Sequence, residues 1–433
     1  NLALSTRPYG GSWAGENRIE RRAGRPIPRR LWRLMNLRGQ LSRPRSFTLP
    51  SIFQLNLLVA EAFQNSYVSS NRPLTMALPT TQKQWLIQGT GKGFETLVYQ
   101  EAPVPQPGDN DVLVRLQGAS INYRDLIIPQ GKYPFPLNLP IVAGSDGAGT
   151  VVAVGRNVTK WKPGDKVLTL FNQGHQSGAV DVKAAHTGLG GCIDGTLRQY
   201  GVFNENGVVA MPKNLDFVEA ASLACAALTS WNALYGLKRL EKGQTVLVQG
   251  TGGVSLFALQ VCLPNLHNNA LEDANMPQFA KAAGATVIAT TSTAEKAEVL
   301  KKLGADHVIN YREDPNWGET ARKLTSGEEG VDHIIEVGGE GTMTQSLKAI
   351  KMEGVISIIG FLGGAHPKDS ILEALSRVCV IRGVYVGSRV QLEEMCKEIE
   401  KHDIHPVIDK TVFTLEKAKE AYEYMVSWEC CDR

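Results

Sequence analysis

TVLVQGTGGVSLFALQ, residues 245–260, is a short apolar β run that passes straight through Gly250-Thr251-Gly252-Gly253-Val254 into good helix formers. Glycines in such a turn let the backbone bend sharply and approach a ligand closely, and the helix that follows aims its first N–H groups at whatever sits there. A dinucleotide pyrophosphate suits that arrangement. Ser255 stands where G-x-G-x-x-G has its last glycine, and a turn of this kind taken alone also serves purely structural ends. Its surroundings decide. Five further apolar runs follow, "ATVIATT", "HVINY", "VDHIIEVGG", "GVISIIGF" and "CVIRGVYVG", separated by helical stretches. Six near-continuous apolar strands alternating with helices predict an α/β fold, a doubly wound parallel sheet buried on both faces.

Upstream the texture is different. Residues 84–205 read as short strands punctuated by Gly and Pro: "QWLIQG", "DVLVRLQGASI", "GAGTVVAVG" and "DKVLTLF". That pattern predicts a compact β-barrel or sandwich. "FVEAASLACAALTSWNALYGL" then brings helical spacing, and the chain closes on amphipathic helices, "VQLEEMCKEIEKHDI" and "TLEKAKEAYEYM". The expected divisions are 1–75 outside any domain, 76–205 the β domain, 206–388 the nucleotide-binding domain, and 389–433 a return to the β domain with an altered end.

The second strand of the sheet tells one dinucleotide from another. A chain built for NAD places an acid at its end to bind the ribose 2′-OH. Here stand Thr290, Thr291, Ser292 and then Lys296, with Glu295 the nearest acid. Hydroxyls plus a cation suit a 2′-phosphate, so NADP(H) is expected rather than NAD(H). Tyr311, closing the third strand, is placed to flank the adenosine phosphate.

The spacing contains an anomaly. Gly253 to Thr291 is 38 residues, against about 20 expected from glycines to specificity position. "VCLPNLHNNALEDANMPQ", residues 261–278, accounts for the excess. Without it, Val254, Ala258 and Phe279 fall on one helical stripe; with it, Pro264 breaks the helix. A retained intron explains the segment. Val261-Cys262 can be written GTATGT, a common fungal donor site, Ala274-Asn275 GCTAAC, and Gln278 CAG. Val426-Ser427 can likewise be GTGAGT, and "VSWECCDR", residues 426–433, has no strand or helix logic. A genuine surface loop is the alternative.

Charge is also uneven. The chain of 433 residues has net charge +3, yet residues 1–75 carry twelve Arg, no Lys and three acids, and the remainder is net acidic. The Arg-rich start is compatible with a transit peptide, a nucleic-acid-binding arm, or upstream sequence read in frame before Met76, which is preferred. The body of the chain offers nucleic acid no basic surface. No window approaches 18 uninterrupted apolar residues, so no membrane helix is expected. The seven Cys have no C-x-x-C pair, which argues against a disulfide framework or zinc finger. A cytoplasmic location is expected, or a mitochondrial one if the start is a transit peptide.

Five motifs in combination, "INYRDL" (121–126), "LPIVAGSDGAGTVVAVG" (139–155), "KPGDKV" (162–167), "GTGGV" (250–254) and "LGADHVINY" (303–311), resemble the medium-chain dehydrogenase/reductase superfamily over about 82–425. The resemblance implies a GroES-like β-barrel catalytic domain, a Rossmann domain, and an active site in the cleft between them. It carries Thr229 to the nicotinamide-ribose region and Val337, Gly338, Phe361 and Leu362 to the lining of the cofactor cleft. It also implies dimerisation, for which the apolar edge strand "CVIRGVYVG" is suited.

The departures from the family are chemical. Zinc members have Cys where this chain has Asn122, and Gly-His-Glu where it has Gly144-Ser145-Asp146; a third ligand position holds Cys225. The structural-zinc loop with its four cysteines is replaced by a segment with one Cys, in which His175 and His186 are the remaining candidate ligands. One thiolate cannot hold a catalytic zinc, so no zinc is expected. Without a Lewis acid, hydride addition to a C=C conjugated with a carbonyl, or to a quinone, is easier than direct carbonyl reduction, because the developing charge is delocalised. The expected function is NADPH-dependent reduction of a small enone, enoyl or quinone substrate in the zinc-independent, quinone oxidoreductase-like manner. Tyr133 is placed by the resemblance at the proton-donating position of zinc-free enoyl reductases. Tyr123 is expected to face the nicotinamide and Asn122 to orient substrate or carboxamide, while Arg124 and Asp125 read as a structural pair. A zinc-dependent alcohol dehydrogenase and a non-catalytic NADPH-binding protein are the alternatives.

Overall fold

Long alternating strands in the first half fold onto one another as antiparallel sheet. In the computed structural model, which describes residues 57–60, 78–262, 284–362 and 372–427, β1 (Leu57–Ala60), β4 (Asp111–Ile121), β6 (Asp146–Val154), β7 (Lys166–Thr169) and β9 (Val208–Ala210) pair in that order. β8 (Tyr200–Asn204) joins β4, and β2 (Thr81–Ile87), β3 (Leu97–Pro103) and β5 (Ile141–Val142) make a smaller sheet in the order β3-β2-β5. Gly149 shows why small residues recur here: a Cβ would come within 2.1 Å of the Arg115 carbonyl oxygen on the neighbouring strand. Four residues of the stretch read as lying outside any domain, Leu57–Ala60, pair antiparallel with Gly118–Ile121. The edge of β4 offers them unpaired backbone groups. The rest of 1–77 lies outside the described residues.

The six apolar runs form a second sheet of β10 (Thr245–Gln249), β11 (Thr286–Thr291), β12 (His307–Asn310), β13 (Val331–Glu336), β14 (Ile350–Ile358) and β15 (Val380–Gly383). Every pairing is parallel and the order is β12-β11-β10-β13-β14-β15. β10 is buried along its whole length, which is why it reads as a continuous apolar run rather than an alternating one. The order reverses between β10 and β13, and ligands of such sheets bind where the strand ends diverge at that point.

The chain then returns to the first sheets. Leu415, Ala418, Ala421, Tyr422 and Met425 are buried with Trp85, Ile87 and Ile121, and Trp85 Nε1 donates to the Leu415 carbonyl at 2.6 Å. The helix after the glycine turn runs Gly253–Cys262 with every residue buried, so Val261 and Cys262 are helical. Residues 263–283, which hold most of the suspected insertion, lie outside the described residues. Val261 opens onto a groove of about 370 Å³ walled by Trp231, Tyr235, Met395 and Ile399. Among the described residues no helix is long and apolar enough to cross a membrane.

Candidate active site

The glycine turn does what its sequence requires. Gly250 has φ +71, a region that L side chains avoid, and its N–H donates to the Thr290 carbonyl of β11 at 2.8 Å. Ser255 replaces the last glycine because its hydroxyl donates back to the Gln249 carbonyl at 2.7 Å, pinning helix to strand. Val254, in the first turn of this helix, offers its carbonyl to the Ser230 hydroxyl, one residue past Thr229, which is buried.

Around this turn three buried hydroxyls, those of Thr251, Thr291 and Ser292, have no hydrogen-bond partner. Buried polar groups are seldom left unpaired, and three at adjacent strand ends fit a ligand rich in oxygen. Thr293 caps the next helix, Ala294–Lys302, which sets Lys296 in its first turn. Tyr311 donates its backbone N–H to the Thr291 carbonyl at 2.9 Å, which brings these two residues side by side.

The loops after β13 and β14 meet over the other side of the turn. Leu362 N donates to the Val337 carbonyl at 3.2 Å, and at Gly360 a Cβ would approach that carbonyl to 2.6 Å. A buried carboxyl group that the sequence reading missed anchors these loops. Glu336 Oε1 accepts from Gly338 N (2.9 Å), Gly339 N (3.0 Å) and the Thr342 hydroxyl. Its Oε2 accepts from Gln249 Nε2 (2.8 Å) and the Ser346 hydroxyl. Gln249 Oε1 in turn accepts from Val337 N and Gly338 N.

A cavity of about 770 Å³ lies between these loops and the first sheets. Its wall is mostly apolar, including Phe135, Pro136, Val180, Met343, Phe361 and Val384, with Arg124, Tyr133 and Tyr385 on its aromatic side and His186, Cys192 and Glu340 also lining it. Arg124 Nε donates to the Tyr133 phenol oxygen at 3.1 Å and Nη1 to the Leu189 carbonyl at 2.8 Å. Burial works against the guanidinium, but Tyr133 and Asp125 outweigh it and hold Arg124 above its ordinary range. The expected Arg124–Asp125 pair is present at 3.7 Å. Tyr123 begins the helix Tyr123–Ile127 and, like Tyr133, packs against the Trp85 cluster; burial raises its phenol.

Behind Arg124 lies a polar cluster of Asn122, Ser145, Asp146 and Cys225. Ser145 Oγ donates to Asp146 Oδ1 at 2.6 Å, and Cys225 N donates to Asp146 Oδ2 at 3.1 Å. Cys225 sits in a π-helical turn, Leu223–Ala227. Its thiol is pushed well up by burial and by Asp146 and Asp125. Asn122 is 3 % exposed and its side chain is directed at the Asp146 carboxyl group.

Comparison with known proteins fits this arrangement. Residues 108–213 match the alcohol dehydrogenase GroES-like domain and residues 275–401 the zinc-binding dehydrogenase family. A zinc-type alcohol dehydrogenase-like protein of Schizosaccharomyces pombe is 45 % identical over 353 residues, covering 79 % of this chain and 96 % of the relative. The chain belongs to the medium-chain dehydrogenase/reductase superfamily. The zinc-type alcohol dehydrogenase-like protein YogA of Leptosphaeria maculans is 32 % identical, over 74 % of this chain and 88 % of the relative. A crystal structure of an NAD-dependent alcohol dehydrogenase superposes with TM-score 0.67 at 30 % identity, over 80 % and 97 % of the two chains.

This medium-chain oxidoreductase therefore takes a nicotinamide cofactor, which the glycine turn and its unpaired hydroxyls fit. The zinc of its relatives' names is another matter. A catalytic zinc needs three deprotonated nitrogen, sulfur or oxygen ligands. A carboxamide, a hydroxyl already committed to Asp146 and one neutral thiol are a poor set. Among the described residues no group of three His, Cys, Asp or Glu could hold a metal ion. His175 Nε2 is hydrogen-bonded to the Gly178 carbonyl and His186 Nδ1 to that of Val182.

Burial, joined by the like charge of Asp125, lifts the Asp146 carboxyl to about 7 against the pull of Ser145. In the unfolded chain it titrates near its ordinary value of 3.8. Between these values the unfolded state loses its proton first, so stability falls as pH rises, by about 4 kcal/mol in all. Asp146→Asn keeps both hydrogen bonds without the titration. Urea unfolding at pH 5, 6, 7 and 8 should show a slope in the parent that the variant lacks; equal slopes would refute this.

Proposed function

We propose that this enzyme uses NADPH to reduce a small, largely apolar enone, enoyl or quinone substrate without a catalytic zinc, with Tyr133 as proton donor. One observation carries the reading. The Tyr133 oxygen already accepts from Arg124, so its own proton is left to donate, and the phenol lines an apolar cavity walled on its far side by the loops after β13 and β14. When bound, the cofactor supplies a hydride. With hydride delivered to the β-carbon, the C=C pair would shift into the bond to the carbonyl carbon and the C=O π pair onto oxygen. Tyr133 would protonate that oxygen, and the enol would tautomerise, taking a proton at the α-carbon from water and losing the one on oxygen. Arg124 steadies the charge left on the phenol until solvent reprotonates it. The apolar wall excludes water, which strengthens these interactions. Asn122 orients the substrate or the cofactor carboxamide, and Tyr123 faces the nicotinamide. Thr291, Ser292 and Lys296 receive a 2′-phosphate, which favours NADP(H); the hydroxyls of Thr251 and Thr229 face the pyrophosphate and nicotinamide ribose.

The test is a panel of 2-alkenals, enoyl thioesters, quinones and simple alcohols, run on the full chain and on a version lacking 261–278, with metal content measured. NADPH oxidation by an enone or quinone that survives chelation supports the proposal. Activity confined to alcohols and lost with stoichiometric zinc would overturn it, and cofactor binding with no turnover would make this a binding protein.

Two copies are proposed to pair along β15. It is the edge of the sheet, and Met352, Leu372, Leu375 and Val380 leave apolar surface exposed there, which edge-to-edge docking covers. A monomer in sedimentation velocity at micromolar concentration would remove the pairing.

A further inference from the structure

The side chains around Arg124 close into a ring. Arg124 stacks on Tyr133 at 5.1 Å and on Phe171 at 4.9 Å. Phe171 meets Tyr385 edge-on at 6.0 Å, Tyr385 meets Phe135 at 5.5 Å, and Phe135 meets Tyr133 at 5.3 Å. Four members come from the first half of the chain. Tyr385 comes from the loop after β15, some 250 residues from Tyr133. Both phenols line the cavity, and a Cβ at Gly188 would lie 3.8 Å from the Tyr385 oxygen.

The loop that brings Tyr385 in is strained. Val386, the next residue, is β-branched and has φ +53, a conformation that costs about 1–3 kcal/mol. Asn232 holds it there: its Nδ2 donates to the Val386 carbonyl at 2.7 Å, and its Oδ1 accepts from Arg382 at 2.9 Å and Gln391 at 3.1 Å. Ser388 then caps the helix Arg389–His402. Strain retained against a relaxed alternative points to a function for what it positions.

We infer that Tyr385 is a second hydrogen-bond donor to the substrate oxygen, so that Tyr133 and Tyr385 together form a two-phenol oxyanion site. The inference rests on the function proposed above and adds a catalytic residue to it. Two phenols on one side of an apolar cavity suit an oxygen that gains negative charge during the reaction: the Tyr385 hydroxyl lies within hydrogen-bond reach of Tyr133 and turns to the substrate oxygen once one enters, and Arg124 stands behind Tyr133. Burial, with Tyr133 beside it, holds the Tyr385 phenol well above its ordinary value, so it stays a donor at neutral pH. The Asn232 clamp is the positioning element.

Tyr385→Phe keeps the ring packing and deletes only the hydroxyl. It should lower kcat about 100-fold while leaving the KM for NADPH unchanged. The Tyr133→Phe/Tyr385→Phe double variant should lose less than the product of the single losses, because both act on one oxygen. A binding readout needs no turnover. 4-Nitrophenol, a planar mimic of an enolate whose ionised form is read by its visible absorbance, should bind the parent as the phenolate, and either single variant should bind it about tenfold more weakly. A parent active on enones with an unchanged Tyr385→Phe would overturn the inference and leave the proposed function intact. A parent inactive on the whole panel that still binds the phenolate through Tyr385 would overturn the function and leave the oxyanion site. Equal effects on melting temperature, NADPH affinity and phenolate binding would mark Tyr385 as structural and overturn the inference.

Discussion

Tyr133→Phe is expected to lower kcat for an enone or quinone by about 10²- to 10³-fold, the usual contribution of a positioned acid. The ring would still stack on Phe135 and under Arg124, since those contacts involve the aromatic face, so folding and NADPH binding should survive. What disappears is the O–H that faces the cavity and the oxygen that receives Arg124 Nε. A substrate whose charge ends on oxygen then has only one phenol to meet it. The solvent isotope effect of the parent should shrink or vanish in the variant, because proton delivery would pass to water. A loss below about threefold in kcat, with the isotope effect retained, would show that the proton comes from elsewhere.

Glu336→Gln is expected to destabilise the fold by about 2 kcal/mol, the cost of turning at least one acceptor contact of a buried carboxyl group into a donor-to-donor contact. Glu336 is fully buried, and all five of its neighbours donate to it. A Gln amide placed at Oε1 would face the N–H groups of Gly338 and Gly339. Placed at Oε2 it would face the amide of Gln249, which cannot turn over because its own oxygen holds Val337 N and Gly338 N. Either way the loop carrying Val337 and Gly338 loosens, and affinity for the nicotinamide cofactor should fall about tenfold alongside the stability. Denaturant midpoints and a fluorescence titration check both. An unchanged midpoint would mean the carboxyl group is not the anchor of this loop.

Some of this was legible because it is local. The six apolar runs declare a parallel sheet, since a strand covered on both faces has no polar side to show. Gly250 declares its turn because only glycine tolerates its φ without strain. Thr291, Ser292 and Tyr311 follow from their positions at strand ends, and the Arg124–Asp125 pair from adjacency. Asn122, Ser145 and Cys225 could be read as a poor metal set once the motifs had fixed their positions. Glu336 shows the limit: its neighbours in sequence gave no sign that five donors would meet it.

What the chain's own sequence determined, then, was the architecture, the seat of a nicotinamide cofactor and the kind of residues gathered where relatives keep a metal. Only the tertiary structure decided that Glu336 would be met by five donors, and that Tyr385, hidden in an apolar run, would close a ring with residues from the other half of the chain. Backbone geometry and burial patterns repeat over a few residues and leave a periodic trace. A contact between side chains hundreds of residues apart leaves none, because it depends on how whole sheets pack and on a strained turn at Val386 that no local preference favours.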